Sequence, residues 1–204
     1  MSNKIATAAV VSAAGLLAVN AAAYAIEGES TLLRPPGAVS EHDFMARCVK
    51  CGKCIEACPY KSLIVAPVTA GNAAGTPTLN TREQACRLCQ DFPCVHVCPT
   101  QALRDVVERS DVHMGIAVID EDICIAFQGM RCEVCYRACP LIDEAITIDY
   151  RLREGDAIHS IFAPIINEDK CVGCGLCVER CVVSDPAVPI KIITTQEQLL
   201  TQSE

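Results

Sequence analysis

The stretch CVKCGKCIEACP, residues 48–59, sets four cysteines into one short loop and closes on a proline. Cys48, Cys51, Cys54 and Cys58 are separated by two, two and three residues. The device returns three times. Cys86, Cys89, Cys94 and Cys98 have gaps of two, four and three, followed by Pro99. Cys124, Cys132, Cys135 and Cys139 have gaps of seven, two and three, followed by Pro140. Cys171, Cys174, Cys177 and Cys181 repeat the first spacing, with no proline directly after. All 16 cysteines fall into these groups, and none is left over.

A cubane [4Fe–4S] cluster has four iron corners, each wanting one thiolate. A C-x2-C-x2-C turn wraps three of them. The fourth cysteine, three residues on, leads away and in two-cluster proteins ligates the other cluster, with the proline turning the chain. Two such motifs build two clusters by exchanging their last ligands, so four motifs build four clusters as two pairs. All sixteen cysteines are therefore expected to be ligands. Cys124 is the outlying member, because IAFQGMR (125–131) must bulge between it and Cys132. Other cysteine chemistries fit less well. Zinc sites favour two separated C-x2-C knuckles. Disulfides would suit an exported chain, but cysteines two residues apart within one loop do not reach partners independently. Thioredoxin-like chemistry needs a single C-x-x-C.

The rest of the composition agrees. Only 4% of the 204 residues are aromatic and Trp is absent, so something other than large rings must fill part of the interior. Cluster volume would do so, and folding would then be coupled to cofactor insertion. The formal charge is −8, with no Lys/Arg-rich run. That argues against nucleic acid and is compatible with a basic protein partner.

Residues 5–26, IATAAVVSAAGLLAVNAAAYAI, carry no charge and are long enough to cross a bilayer as a helix. Lys4 before it and Glu27 and Glu29 after it place the N-terminus on the cytoplasmic side. Ala23-Tyr24-Ala25 would suit a cleavage site. The segment (1–26) is expected to be a signal peptide or a membrane anchor, with a buried Ala-rich helix as the bland alternative. RPPGA (34–38) predicts an extended, stiff connector over 27–39. The folded domain is expected over 40–194, opening at Ser40 as N-cap of a helix EHDFMARC. Residues 195–204 form a polar tail.

Between the cysteine groups lie short apolar runs at 62–68, 115–120, 145–150, 162–169 and 190–194, which read as strands of small hairpins. TQALRDVVERS (100–110) reads as a short amphipathic helix opening at Thr100. TAGNAAGTPT (69–78) is a Gly-rich loop matching no phosphate-binding pattern. Cysteine loop, short helix and hairpin, repeated, predict an α+β fold. It would be a tandem of two pseudo-symmetric bacterial-ferredoxin-like 2[4Fe–4S] modules behind an N-terminal apolar helix.

The four spacings in this order, with LLRPPGA (32–38) ahead of them and CPYKSL (58–63) after the first group, resemble the MauM/NapG family of ferredoxin-type proteins. The resemblance spans about residues 31–194. It implies an exported electron carrier with four [4Fe–4S] clusters. For the NapG branch it implies a membrane-bound quinol-oxidising partner and delivery to periplasmic nitrate reductase. For the MauM branch it implies methylamine utilisation. A c-type cytochrome is a further partner to consider. NapG-like proteins usually carry a twin-arginine signal, whereas this chain begins MSNKIATAAV. Periplasmic placement, with residues 5–26 as anchor, is the expectation; the cytoplasmic membrane face is its alternative. By analogy with related four-cluster subunits, ligand sharing would be nested. Cys181 would then join Cys48, Cys51 and Cys54, and Cys58 would join Cys171, Cys174 and Cys177. Cys139 would join Cys86, Cys89 and Cys94, and Cys98 would join Cys124, Cys132 and Cys135. Sharing between successive groups is the alternative.

The sequence offers no catalytic constellation. His42, His96, His113 and His159 are scattered, with surface or packing duty expected even for His96 inside the second group. Asp120, Glu121 and Asp122 read as a solvated turn. No G-x-G-x-x-G signature follows a strand. The expected function is a one-electron relay without bond-making chemistry. One alternative is the electron-transfer subunit of a molybdopterin oxidoreductase of the DMSO reductase type, whose wiring also carries the x2-x4-x3 group. The other is a non-redox metal-binding structural protein.

Overall fold

The computed structural model describes residues 32–152, 155 and 160–194. The expectations for the apolar segment 5–26, for the tail 195–204 and for His159 lie outside these residues. No helix among the described residues is long and apolar enough to cross a membrane.

Two modules follow one another, each built from two cysteine loops around a hairpin. In the first, helix α1 (Glu41–Arg47) starts at Ser40, whose hydroxyl accepts from the Asp43 N–H at 3.3 Å, as the sequence predicts. The first cysteine loop leads into α2 (Lys53–Ala57). Strand β1 (Leu63–Val65) pairs antiparallel with β2 (Pro77–Leu79) across a 3₁₀ turn at Val68–Ala73. The second loop then carries α3 (Pro93–His96). The chain closes the module by an antiparallel bridge between Ala38 and Leu103. Val39 N–H donates to the Ala102 carbonyl and Arg104 N–H to the Gly37 carbonyl.

This closure explains two departures from the sequence reading. Residues 100–110 do not form a helix: their backbone is spent on the bridge to 37–39, Gln101 takes a left-handed φ of 55°, and only Arg109–Asp111 turn as 3₁₀. Residues 32–39 are extended, yet they are part of the packed module. Arg34, Pro35 and Pro36 are buried. The Arg34 guanidinium donates to Glu41 (Nε–Oε2 2.8 Å), Thr76 (2.7 Å) and the Pro77 carbonyl (3.0 Å), and it stacks over Phe44.

The second module has the same plan with longer strands. Strand β3 (Ile116–Ile119) pairs antiparallel with β6 (Ile190–Ile193), joining its two ends. The third cysteine loop leads into α4 (Val134–Ala138). Strands β4 (Ile146–Leu152) and β5 (Ser160–Ile166) form a seven-pair hairpin from Ile146↔Ile166 to Leu152↔Ser160. The fourth loop leads into α5 (Leu176–Arg180). All five strand-like runs contain strands, as expected; β2 is an additional one, at the end of the Gly-rich loop.

The main core is continuous across both modules. Phe44, Leu63, Leu88, Phe92 and Leu103 of the first pack with Val112, Met114, Val172 and Leu176, and buried cysteines belong to the same cluster of residues. A smaller core of Ala117, Val178 and Ile190 lies under the β3–β6 pair.

Candidate metal-cluster centres

The sixteen cysteines line four concavities, four to each. Cys48, Cys51, Cys54 and Cys98 ring one of about 420 Å³. Cys86, Cys89, Cys94 and Cys58 ring a second of about 360 Å³. Cys171, Cys174, Cys177 and Cys139 ring a third, and Cys124, Cys132, Cys135 and Cys181 a fourth, each of about 390 Å³. Each set is thus three cysteines of one group plus the last cysteine of another. The rest of each lining is mostly apolar: Ile55 and Leu103 in the first, Leu79 and Phe92 in the second, Ile146 and Ile192 in the third, Ile119 and Val134 in the fourth.

Nested sharing is overturned by this geometry. Cys58 faces the second group and Cys98 the first; Cys139 faces the fourth and Cys181 the third. The cause is local. Cys58, Cys139 and Cys181 each cap a five-residue helix in extended or near-extended conformation, so the helix carries its last thiol away from its own loop. Helix α2 packs against α3 and α4 against α5, so each last cysteine reaches its module partner's loop.

The loops reach this shape through left-handed residues. In the C-x-x-C turns the second spacer has positive φ at Lys50 (54°), Leu88 (47°) and Gly173 (70°). At Gly173 only glycine fits, because a Cβ there would lie 2.5 Å from the backbone N and O of Gly115. Helices α2 and α5 both start after a left-handed glycine, Gly52 and Gly175. The widened third group keeps its outlying member: Cys124 is buried, its N–H bonded to the Asp120 carbonyl at 3.1 Å, and it lines the fourth concavity.

The protein alone does not favour thiolates here. Burial raises Cys86, Cys94, Cys135 and Cys174 to about 12 and Cys54 to about 11, and neighbouring cysteines add repulsion. Burial pushes Cys177 well above its ordinary value. Cys98 moves the other way: burial raises it, but N–H groups of Leu103, Thr100 and Ala102 and the Thr100 hydroxyl outweigh that. Four convergent thiols in an apolar setting therefore call for a cationic centre to hold them deprotonated. Yet no three His, Cys, Asp or Glu side chains among the described residues converge on a single-ion site. Four thiols set round each concavity without closing on a single-ion site fit a polynuclear cluster better than one zinc ion. Backbone N–H groups already address some sulfurs: Ser62 to Cys58 at 3.3 Å and Ala117 to Cys171 at 3.4 Å.

The remaining sequence candidates stay outside these centres. His96 is exposed, with Nδ1 3.3 Å from Asp105. His42 and His113 are exposed. Asp120–Asp122 form a turn in which Asp122 N–H donates to Asp120 Oδ1 at 3.1 Å.

The joint between the modules is what the sequence did not disclose. Cys86 N–H donates to the Cys174 carbonyl at 3.0 Å, so the second and third concavities sit on either side of one hydrogen bond. Around it, Glu179 accepts from the Ala85 N–H (2.7 Å) and from Arg87 (2.8 Å). Arg82 donates to the Val178 and Cys181 carbonyls, both at 2.9 Å, and so caps the end of α5. The partners of Arg82 lie some hundred residues away in sequence, beyond any local signal.

Known proteins place these observations. A family model for the 4Fe-4S dicluster domain matches twice, at residues 47–102 and 128–184. Each match spans one module's exchange of last cysteines, and Cys124 stands just ahead of the second. The ferredoxin-type protein NapG of Escherichia coli K12 is 46% identical over 160 residues, covering 78% of this chain and 69% of that protein. The methylamine utilization ferredoxin-type protein MauM of Methylorubrum extorquens is 38% identical over 192 residues, 93% of this chain and 86% of that protein. The chain belongs to the MauM/NapG family of ferredoxin-type proteins. NapG of Haemophilus influenzae is 41% identical over 165 residues, 79% of this chain and 59% of that protein. Two dicluster domains and sixteen cysteines are consistent with four [4Fe–4S] clusters, and the chain is a ferredoxin-type electron-transfer protein.

Proposed function

We propose that the chain is a one-electron wire whose four centres are used in the order first, second, fourth and third cysteine group. It would draw electrons from a membrane-bound quinol-oxidising partner and pass them to a periplasmic acceptor, such as a c-type cytochrome. When bound, the clusters supply the one-electron redox chemistry. The protein holds them, with all sixteen cysteines as ligands, excludes water and sets their spacing.

The observation that carries this reading is the continuity of the four concavities. Shared helices join the first to the second and the fourth to the third, and the Cys86–Cys174 hydrogen bond joins the two pairs. Tunnelling rate falls steeply with distance, so neighbours in space define the path regardless of order in the chain. The molybdopterin-subunit alternative rests on the x2-x4-x3 spacing of the second group, and the companion protein decides between the two readings.

Periplasmic placement and anchoring by residues 5–26 belong to the same proposal. The test is anaerobic purification from membranes, with identification of what co-purifies and of the chain's own N-terminus. A quinol-oxidising membrane protein or multihaem cytochrome is the expected companion. A stable molybdopterin subunit would show that the protein wires a particular enzyme instead.

A further inference from the structure

The two ends of the proposed wire differ in charge and in access. Of the sixteen cysteines Cys51 alone is exposed, and it belongs to the terminal centre of the first group. Residues 47–61 around it carry Arg47, Lys50, Lys53 and Lys61 against a single acid, Glu56, in a chain of formal charge −8. Lys50, Lys53 and Lys61 are exposed. Lys50 and Lys53 line the mouth of this concavity, and Lys50 Nζ is steadied by the Asn72 carbonyl at 3.2 Å. At the other end Cys124 is buried and follows Asp120, Glu121 and Asp122. There Glu133 is ion-paired to Arg131 and Arg137.

We propose that the basic rim around Cys51 is a docking port for an acidic redox protein, through which electrons enter or leave at the first-group centre. The inference rests on the electron-carrier reading above. Two observations converge on it: an exposed thiol at a terminal centre, and cations gathered at its mouth. Opposite charge at a redox site steers encounter and orients the partner for transfer. A protein partner fits better than an anionic lipid surface. Lys50 and Lys53 line a redox opening, no long amphipathic helix carries the cations of residues 47–61, and a lipid headgroup accepts no electron.

The port can be probed with two small oxidants of opposite charge, the cobalt(III)–EDTA anion and hexaammineruthenium(III). One electron leaves the dithionite-reduced holoprotein, the metal of the oxidant falls from +3 to +2, and no bond to the protein forms or breaks. At low salt the K50E/K53E variant is expected to be oxidised roughly three- to tenfold more slowly by cobalt–EDTA and faster by hexaammineruthenium, both effects shrinking as salt rises. R47E/K61E, changed outside the four-cysteine stretch, should move both rates in the same directions, which guards against damage to the site itself. Iron content and EPR spectra confirm that the variants are loaded. Unchanged rates in both loaded variants would overturn the port. So would charge-dependent binding to phosphatidylglycerol vesicles with unchanged oxidation rates, which would make the rim a membrane contact. A loaded wild-type protein that takes no electrons from dithionite would overturn the carrier reading itself, and the port with it.

Discussion

The two modules solve one problem with different amounts of regular structure. The first closes on a single bridge, Ala38↔Leu103, and a three-pair hairpin. The second closes on the four pairs of β3–β6 and the seven pairs of β4–β5. What the first lacks in ladder it recovers from its N-terminal segment, where buried Arg34 ties residues 32–36 to Glu41, Thr76 and Phe44. The cysteine geometry is nonetheless equivalent, two loops exchanging their last thiols. Sheet length is therefore free to vary as long as two short helices pack and carry those thiols across.

If exchange stays within each module, cysteine substitutions should damage one module and spare the other. Cys181→Ser is expected to lose the centre of Cys124, Cys132 and Cys135, about four irons per chain. Cys98→Ser should likewise strike the centre of Cys48, Cys51 and Cys54. Iron analysis with EPR of the remaining centres reads both. Loss of a first-group signal in Cys181→Ser would restore the nested arrangement and break the comparison.

A second contrast lies at equivalent loop positions. Gly173→Ala should destabilise the second module by about 2–4 kcal/mol, since a left-handed φ is compounded by a backbone clash with Gly115. Lys50→Ala, at the matching place in the first, should cost about 0.5 kcal/mol or less, because a side chain is already accommodated there. Denaturant midpoints of the holoprotein measure the difference, and equal losses would undo it. Arg34→Ala should cost about 2–3 kcal/mol, as Glu41 and Thr76 lose their partner. Limited proteolysis should then cut first within residues 32–104. The smallest effect expected is at the joint. Glu179→Gln keeps the acceptor for Ala85 but loses the charge facing Arg87, about 1 kcal/mol, with all centres still loaded. A full-sized loss of iron there would mean that the joint also builds the centres.

The same contrast shows what the sequence could carry. Every cysteine is placed as a member of a four-thiol set, and Ser40 caps its helix, because these features are local and chemically restrictive. Strands β4 and β5 are legible for the same reason: the short apolar runs at 145–150 and 162–169 are a short-range pattern. Strand β2 is hidden because a three-residue strand, Pro77–Leu79, at the end of TAGNAAGTPT carries too little pattern. Residues 100–110 have helical periodicity, but Ala102–Arg104 are used to close a module whose other edge lies over sixty residues earlier, and tertiary pairing outweighs propensity. The β3–β6 pair and the Glu179–Arg87 contact are similarly non-local. The nested pairing failed for another reason. It came by analogy, while the outcome depends on which helices pack, and a C-x3-C spacing does not encode that.

The measurement that bears most directly on the account is the iron and acid-labile sulfide content of the anaerobically isolated full chain, with Mössbauer spectra to establish cluster type. Four cubanes held by four complete thiol sets predict about sixteen irons and sixteen sulfides per chain, all in [4Fe–4S] form. Fewer than about two irons per chain, or zinc in their place, would contradict the account and leave the cysteines as structural metal ligands.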